Sequence, residues 1–283
     1  MLEEFSVDIP MGKVAGLCGR FPNEKLPILA LHGWLDNAAS FKPLLSPMQR
    51  NFWAVDFPGH GDSFHLPAGL AYHFLDYIPF VQQVSDSLKL KKFVLMGHSM
   101  GAAVATIAAA LMPAKVSALV LIEGFGPMSS SPEELVERGR KALRFFSRVS
   151  RSKPGKYDTI ESAVKARESV GDLDFESARI LSERNLKKIK DQYTWKYDFR
   201  LRADSILRLN EEQVRAYLKG IECPVMLITG QDAKLPYSDF IRKRIGEVKQ
   251  LQHFDLPGGH HLHMQNAERC RDTITEFLGS LHI

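Results

Sequence analysis

Cysteine is scarce in these 283 residues, and the three present, Cys18, Cys223 and Cys270, are odd in number and far apart, which excludes a disulfide framework. They also lack the close spacing of a zinc site, so a reducing, cytoplasmic setting is expected. Long apolar runs are missing too. The longest, from Ala102 to Met112, falls well short of the roughly 18 residues a helix needs to cross a bilayer, and it reads as a buried core helix. The opening Met1-Leu2-Glu3-Glu4 carries acids where a secretory signal would carry basic residues, so export by that route is not expected. Nor does one sign of charge dominate: a net charge of +4 is too modest to imply nucleic-acid binding. Internal repeats and low-complexity tracts are absent as well. What remains is 45% hydrophobic and 25% charged, the balance of an ordinary globular protein with a sizeable core.

Short apolar runs alternate with helix-length segments. Ile28–Leu31, Phe52–Val55, Phe93–Met96, Val116–Ile122 and Val225–Ile228 are each stopped by Gly, Asp, His or Glu, as strands covered on both faces would be. Between them lie the expected helices Tyr72–Leu90, Gly101–Met112, Pro236–Val248 and Asn266–Leu281. The alternation predicts βαβ units and a largely parallel sheet. Phe5–Cys18 alternates around Gly12 and Gly16 without room for a helix, which predicts an antiparallel hairpin at the sheet edge. From about Pro127 to Gly220 the rhythm changes to charged helix formers such as Pro132–Phe146 and Asp174–Lys190, and this stretch is read as a helical insertion without strands.

In such sheets ligands bind beyond the carboxyl ends of the strands, so the residues that follow each strand matter most. After Phe93–Met96 comes Gly97-His98-Ser99-Met100-Gly101, a G-x-S-x-G turn that exposes Ser99 at a helix N-terminus, where developing negative charge is favoured. A serine hydroxyl is a poor nucleophile until a base takes its proton. Late in the chain Gly258-Gly259-His260-His261-Leu262-His263 offers one, with His260 the first choice, His261 the fallback and His263 structural. A histidine-rich metal site is disfavoured because no acid or cysteine has suitable spacing. Two acids could orient the imidazole: Glu123, which ends the strand after the nucleophile's helix, or Asp232, which follows the penultimate strand. The oxyanion donors are assigned to the backbone N–H groups of Met100 and of Trp34, in Leu31-His32-Gly33-Trp34. His32 is read as a buttress of that loop, and His60, in Asp56-Phe57-Pro58-Gly59-His60-Gly61-Asp62-Ser63, as turn architecture.

Together the HGW turn, the D-x-P-G-H-G-x-S turn, the G-H-S-M-G elbow and the late G-G-H resemble the α/β-hydrolase superfamily over nearly the whole chain. Within it, Leu31-His32-Gly33-Trp34-Leu35-Asp36-Asn37-Ala38-Ala39-Ser40-Phe41 is similar to the serine hydrolase-like protein branch. The resemblance implies an α/β-hydrolase fold: a mostly parallel sheet with N-terminal antiparallel edge strands, a core of residues 1–126 and 221–283, and a helical cap of 127–220. Gly230-Gln231-Asp232 is one residue short of the G-x-x-D usual where the late acid serves, and the placement of Glu123 is similar to that in haloalkane dehalogenases and related luciferases. Dehalogenation would resemble a chemistry that needs Asp at position 99, whereas Ser99 points to an acyl-enzyme.

The expected activity is hydrolysis of a small carboxylic ester or related acyl compound, with no cofactor and no metal. A receptor that kept the fold without turnover, and a cofactor-free lyase or oxygenase, are the alternatives. Arg138, Arg140, Lys141, Arg144, Arg148, Arg151, Lys153 and Lys156 form a basic cluster, read as a solvated helix face or as a recruiter of anionic substrate.

Overall fold

The computed structural model describes residues 2–149, 154–233 and 237–283. The N-terminal hairpin consists of β1 (Leu2–Ile9) and β2 (Gly12–Gly19). Then come β3 (Ile28–Leu31), β4 (Phe52–Val55), β5 (Phe93–His98) and β6 (Val116–Ile122). Three short strands, β7 (Lys156–Tyr157), β8 (Leu186–Ile189) and β9 (Gln192–Trp195), precede β10 (Val225–Gly230) and β11 (Leu251–Leu256). Eight strands make one sheet in the order β1-β2-β4-β3-β5-β6-β10-β11. β1, β2 and β4 pair antiparallel, and every other neighbour pair is parallel.

The helices are α1 (Lys42–Leu45), α2 (Tyr77–Ser87), α3 (Met100–Leu111), α4 (Leu135–Val149), α5 (Ile160–Glu168), α6 (Phe175–Asn185), α7 (Glu211–Lys219), α8 (Tyr237–Arg244), α9 (Leu262–Gln265) and α10 (Ala267–Ser280). Alternate residues of each central strand face opposite layers. Leu29, Leu31, Leu95, Leu119, Leu121 and Leu227 pack toward α2, α3 and α7. Ile28, Ala30, Val94, Met96, Val120 and Met226 pack toward α1 and α10. This two-sided burial explains why the strands read as unbroken apolar runs, since both faces leave water. Each fully buried Leu or Ile contributes roughly 1.5–3 kcal/mol, so the double layer fixes strand order firmly. Among the described residues no helix is long and apolar enough to cross a membrane.

The stretch from Pro127 to Gly220 departs from expectation. It holds helices α4 to α7, but β7, β9 and β8 also form an antiparallel sheet of their own. The helix read over Asp174–Lys190 stops at Asn185, where Leu186 turns extended and starts β8. β8 and β9 are four residues each, and Lys187, Lys188 and Ile189 are all exposed. A strand with so little buried side chain leaves no period of two in the sequence.

Candidate active site

The polar side chains converge where the parallel strands end. Ser99 links β5 to α3 with φ 52° and ψ −114°, the left-handed backbone that a sharp strand-to-helix turn imposes. Glycine flanks it for steric reasons: a Cβ on Gly97 would collide with the backbone of Gly101 and Ala102, and one on Gly101 with the carbonyl of Leu31. The Ser99 N–H still donates to Ile122 O at 2.9 Å, so the bend is pinned to β6.

His260 follows β11 after Gly258, itself at φ +124°. Ser99 Oγ lies 2.9 Å from His260 Nε2, and His260 Nδ1 lies 3.1 Å from Glu123 Oε2. This geometry assigns the tautomer: Nδ1–H donates to the carboxylate, leaving Nε2 to accept from Ser99. Glu123 sits just past β6, is 5% exposed and has φ 52°. Its other oxygen, Oε1, accepts the Gly230 N–H at 2.6 Å, so β10 holds the carboxylate toward the imidazole. Asp232 is exposed at the end of β10, its backbone N–H on Gly258 O at 3.0 Å, and among the described residues its carboxylate is no partner of His260. Of the two acids read from the sequence, the fold brings only Glu123 to the histidine.

Met100 opens α3, and Trp34 stands in the turn after β3. Among the described residues neither backbone N–H has an intramolecular acceptor. Trp34 is 48% exposed and its indole Nε1–H donates to Leu201 O at 2.8 Å, which ties the turn to the Pro127–Gly220 stretch. Behind that turn His32 donates from Nδ1 to Gly33 O at 2.7 Å and accepts the Phe57 N–H at 3.0 Å. His60 Nε2 accepts the Leu35 N–H at 3.2 Å. Burial holds both rings below the ordinary imidazole range, and His60 well below it, so each stays neutral and fixes a loop.

Sequence reasoning missed a second cluster beneath the site. His261 Nε2 faces Asp36 Oδ2 at 3.2 Å and its Nδ1 faces Asp172 O at 3.2 Å. Arg167 donates to Asp36 Oδ1 at 2.8 Å. Burial opposes ionisation of Asp36, but its contacts with His261 and with the Arg167 guanidinium hold its carboxyl well below the usual range. His98 donates from Nε2 to His260 O at 2.8 Å, and burial keeps it and His263 neutral. Asp36 was visible in the Leu31–Phe41 motif and His98 in the elbow, but nothing in their spacing links either to a histidine more than 160 positions away.

Asp36, His98 and His261 are the one group of three or more His, Cys, Asp or Glu side chains, among the described residues, whose ligand atoms all lie within 4.8 Å of one another. Sequence spacing offers these histidines no acidic partner, and the fold brings Asp36 to them from a distant loop. Arg167 already neutralises that carboxylate, and a cation placed there would meet a fixed positive charge.

The basic cluster lies elsewhere. Arg138 pairs with Asp204 at 2.7 Å and Arg144 with Glu137 at 3.0 Å, while Arg151 and Lys153 fall outside the described residues. A groove of about 330 Å³ beside the small sheet is lined by Lys156, Lys187, Tyr193, Trp195 and Tyr197, and none of its lining residues belongs to the Ser99–His260–Glu123 chain.

The chain matches the family model of the alpha/beta hydrolase fold over residues 27–267. It is 33% identical to a serine hydrolase-like protein of Danio rerio, across 97% of this chain and 88% of that one. A solved structure of a hypothetical protein from Pseudomonas aeruginosa PAO1 superposes with a TM-score of 0.91 at 32% identity, covering 98% of this chain and 99% of that one. A thioesterase domain from the curacin biosynthetic pathway superposes with a TM-score of 0.85 at 25% identity, covering 98% and 99%. With its eight-stranded sheet and elbow, this chain belongs to the α/β-hydrolase superfamily, in the serine hydrolase-like branch.

Proposed function

We propose that this protein is a serine hydrolase that cleaves a small carboxylic ester, or a related acyl compound, through an acyl-enzyme on Ser99. The observation that carries the reading is the unbroken chain from Ser99 Oγ to His260 at 2.9 Å and from His260 to Glu123 at 3.1 Å. His260 Nε2 takes the hydroxyl proton as Ser99 Oγ attacks the carbonyl carbon. Glu123 stabilises the imidazolium that forms, and the N–H groups of Trp34 and Met100 receive the oxyanion. Each such donor is worth about 3 kcal/mol of transition-state stabilisation. The imidazolium then protonates the leaving alcohol, the acyl group stays on Ser99, and water repeats the cycle to release the acid. These steps balance with protein groups and water alone.

Residues 127–220 act in this reading as a cap over the strand ends, and the indole of Trp34, bonded to Leu201, shapes the pocket wall between cap and core. Trp34→Ala therefore alters acyl-chain preference while leaving a backbone donor in place.

Turnover of short p-nitrophenyl esters tests the reading. The wild type is expected to hydrolyse them and Ser99→Ala to lose the activity with its fold intact. Equal rates for the two proteins, or a folded wild type without turnover, would favour a receptor or another reaction on the same fold.

A further inference from the structure

The stretch between β6 and β10 touches the site with more than its outer wall. Asp172, in the loop between α5 and α6, accepts the backbone N–H of His260 on Oδ2 at 2.8 Å. Its own carbonyl faces His261 Nδ1 at 3.2 Å. Five residues earlier, Arg167 at the end of α5 holds Asp36, and Asp36 holds His261. Asp172 thus grips two successive residues of the histidine turn, His260 through its amide and His261 through Nδ1, while Arg167 of α5 steadies Asp36 against the other ring nitrogen of His261.

Two features show that the grip is built into the packing. Leu173, the next residue, is buried in an apolar cluster with Val164, Ala178, Leu181 and Met264, and Met264 belongs to α9 just past the histidines. Gly259 is the second feature. A Cβ there would meet the Asp172 carboxylate at less than van der Waals contact, and the three nearest atoms are all from Asp172. Gly259 shows no left-handed φ, so the missing side chain serves the approach of Asp172 and no backbone need.

We propose that Asp172 is a positioning residue for His260, fixing the imidazole between Ser99 and Glu123 through its backbone, so that the segment between β6 and β10 completes the machinery as well as covering it. The inference rests on the hydrolase reading above. Asp172 is itself exposed. Its effect is therefore geometric, because water screens its charge, and an amide oxygen should serve as well as a carboxylate.

A double-mutant cycle tests this on the full-length protein. Asp172→Ala should lower kcat about tenfold with KM unchanged, the scale expected when a base is displaced by a fraction of an ångström. Asp172→Asn keeps an acceptor and should stay within about threefold of wild type. Gly259→Ala should match Asp172→Ala in the wild-type background, yet change kcat less than about twofold when Asp172 is already Ala, because the atoms it would strike are gone. Equal costs of Gly259→Ala in both backgrounds, or loss in Asp172→Asn equal to that in Asp172→Ala, would overturn the proposal. Should Asp172→Ala fail to fold, the comparison of Gly259→Ala with Asp172→Asn decides, since only the former displaces the acceptor. Amide hydrogen exchange at His260 gives a readout that needs no turnover. It should be protected in wild type and Asp172→Asn and fast in Gly259→Ala, and uniform exchange would overturn the grip. A wild type that hydrolyses nothing would sink the hydrolase reading while leaving this exchange pattern to be judged by itself.

Discussion

At the scale of single residues, the choice between two carboxylates turns on what lies behind each. Glu123 has an oxygen on His260 Nδ1 and another on the Gly230 amide, and its left-handed φ aims the side chain back across the strand tips. Asp232 offers its carboxylate to water. Glu123→Gln should therefore lower kcat by about 10²–10⁴-fold, because an amide can leave the imidazole in the wrong tautomer. Asp232→Asn should change kcat/KM by no more than about twofold, the size of an ordinary surface substitution. Comparing the two variants' steady-state rates checks the assignment, and the reverse ranking would move the acid to β10. Ser99 and His260 were legible because each carries a local signature, a glycine-flanked turn or a Gly-Gly-His loop after a strand. Asp172 and Arg167 were not, since they act on the histidines by tertiary approach alone, from a region whose sequence shows only helical charge patterns.

At the scale of elements, the elbow is a conflict between helix formation and close approach. Replacing Gly101 by Ala inside α3 would gain about 1 kcal/mol of helix propensity at an exposed position. Here the new methyl would strike the Leu31 carbonyl, a backbone atom held in the sheet ladder. Overpacking of that kind costs about 1–3 kcal/mol or more, so the clash wins. Gly101→Ala should lower the urea midpoint, with an unchanged slope, by a shift equivalent to about 2 kcal/mol. A midpoint at or above wild type would show that α3 can move away from β3. The same element scale explains the strands missed in the sequence. β5 and β6 announce themselves because both faces are buried, whereas β8 shows three consecutive exposed residues and inherits its place from β9 and the end of α6.

At the scale of the whole molecule, stability should depend on pH through rings buried far from solvent. Burial holds His32, His60, His98 and His263 below the ordinary imidazole value, the last three well below it. The unfolded chain then binds protons that the folded chain refuses. Stability is therefore complete above about pH 6.5 and falls as pH drops below it, by about 1.4 kcal/mol per pH unit for each such ring until its folded-state value is reached. Asp36, held well below the carboxylate range, adds a loss of the same sign only when pH falls below about 4. Urea midpoints measured from pH 8 to pH 5 should be flat at first and then decline steeply, and a profile flat down to pH 5 would mean that these rings take protons in the folded state. The largely parallel sheet and the burial of its central strands on both faces could be inferred from periodicity, whereas the strand order came from the fold. This histidine-rich interior could not be inferred, because pattern reading has no means of bringing His32 against His60, or His98 against His263, from distant parts of the chain.

Labelling with a fluorophosphonate, followed by peptide mass mapping, tests the central claim most directly. The account predicts one phosphonyl adduct per chain, located on Ser99, with labelling slowed by at least about 10²-fold in His260→Ala, since an unassisted serine is a poor nucleophile. A folded wild-type protein that takes no label at Ser99, or takes it as fast without His260, would contradict it.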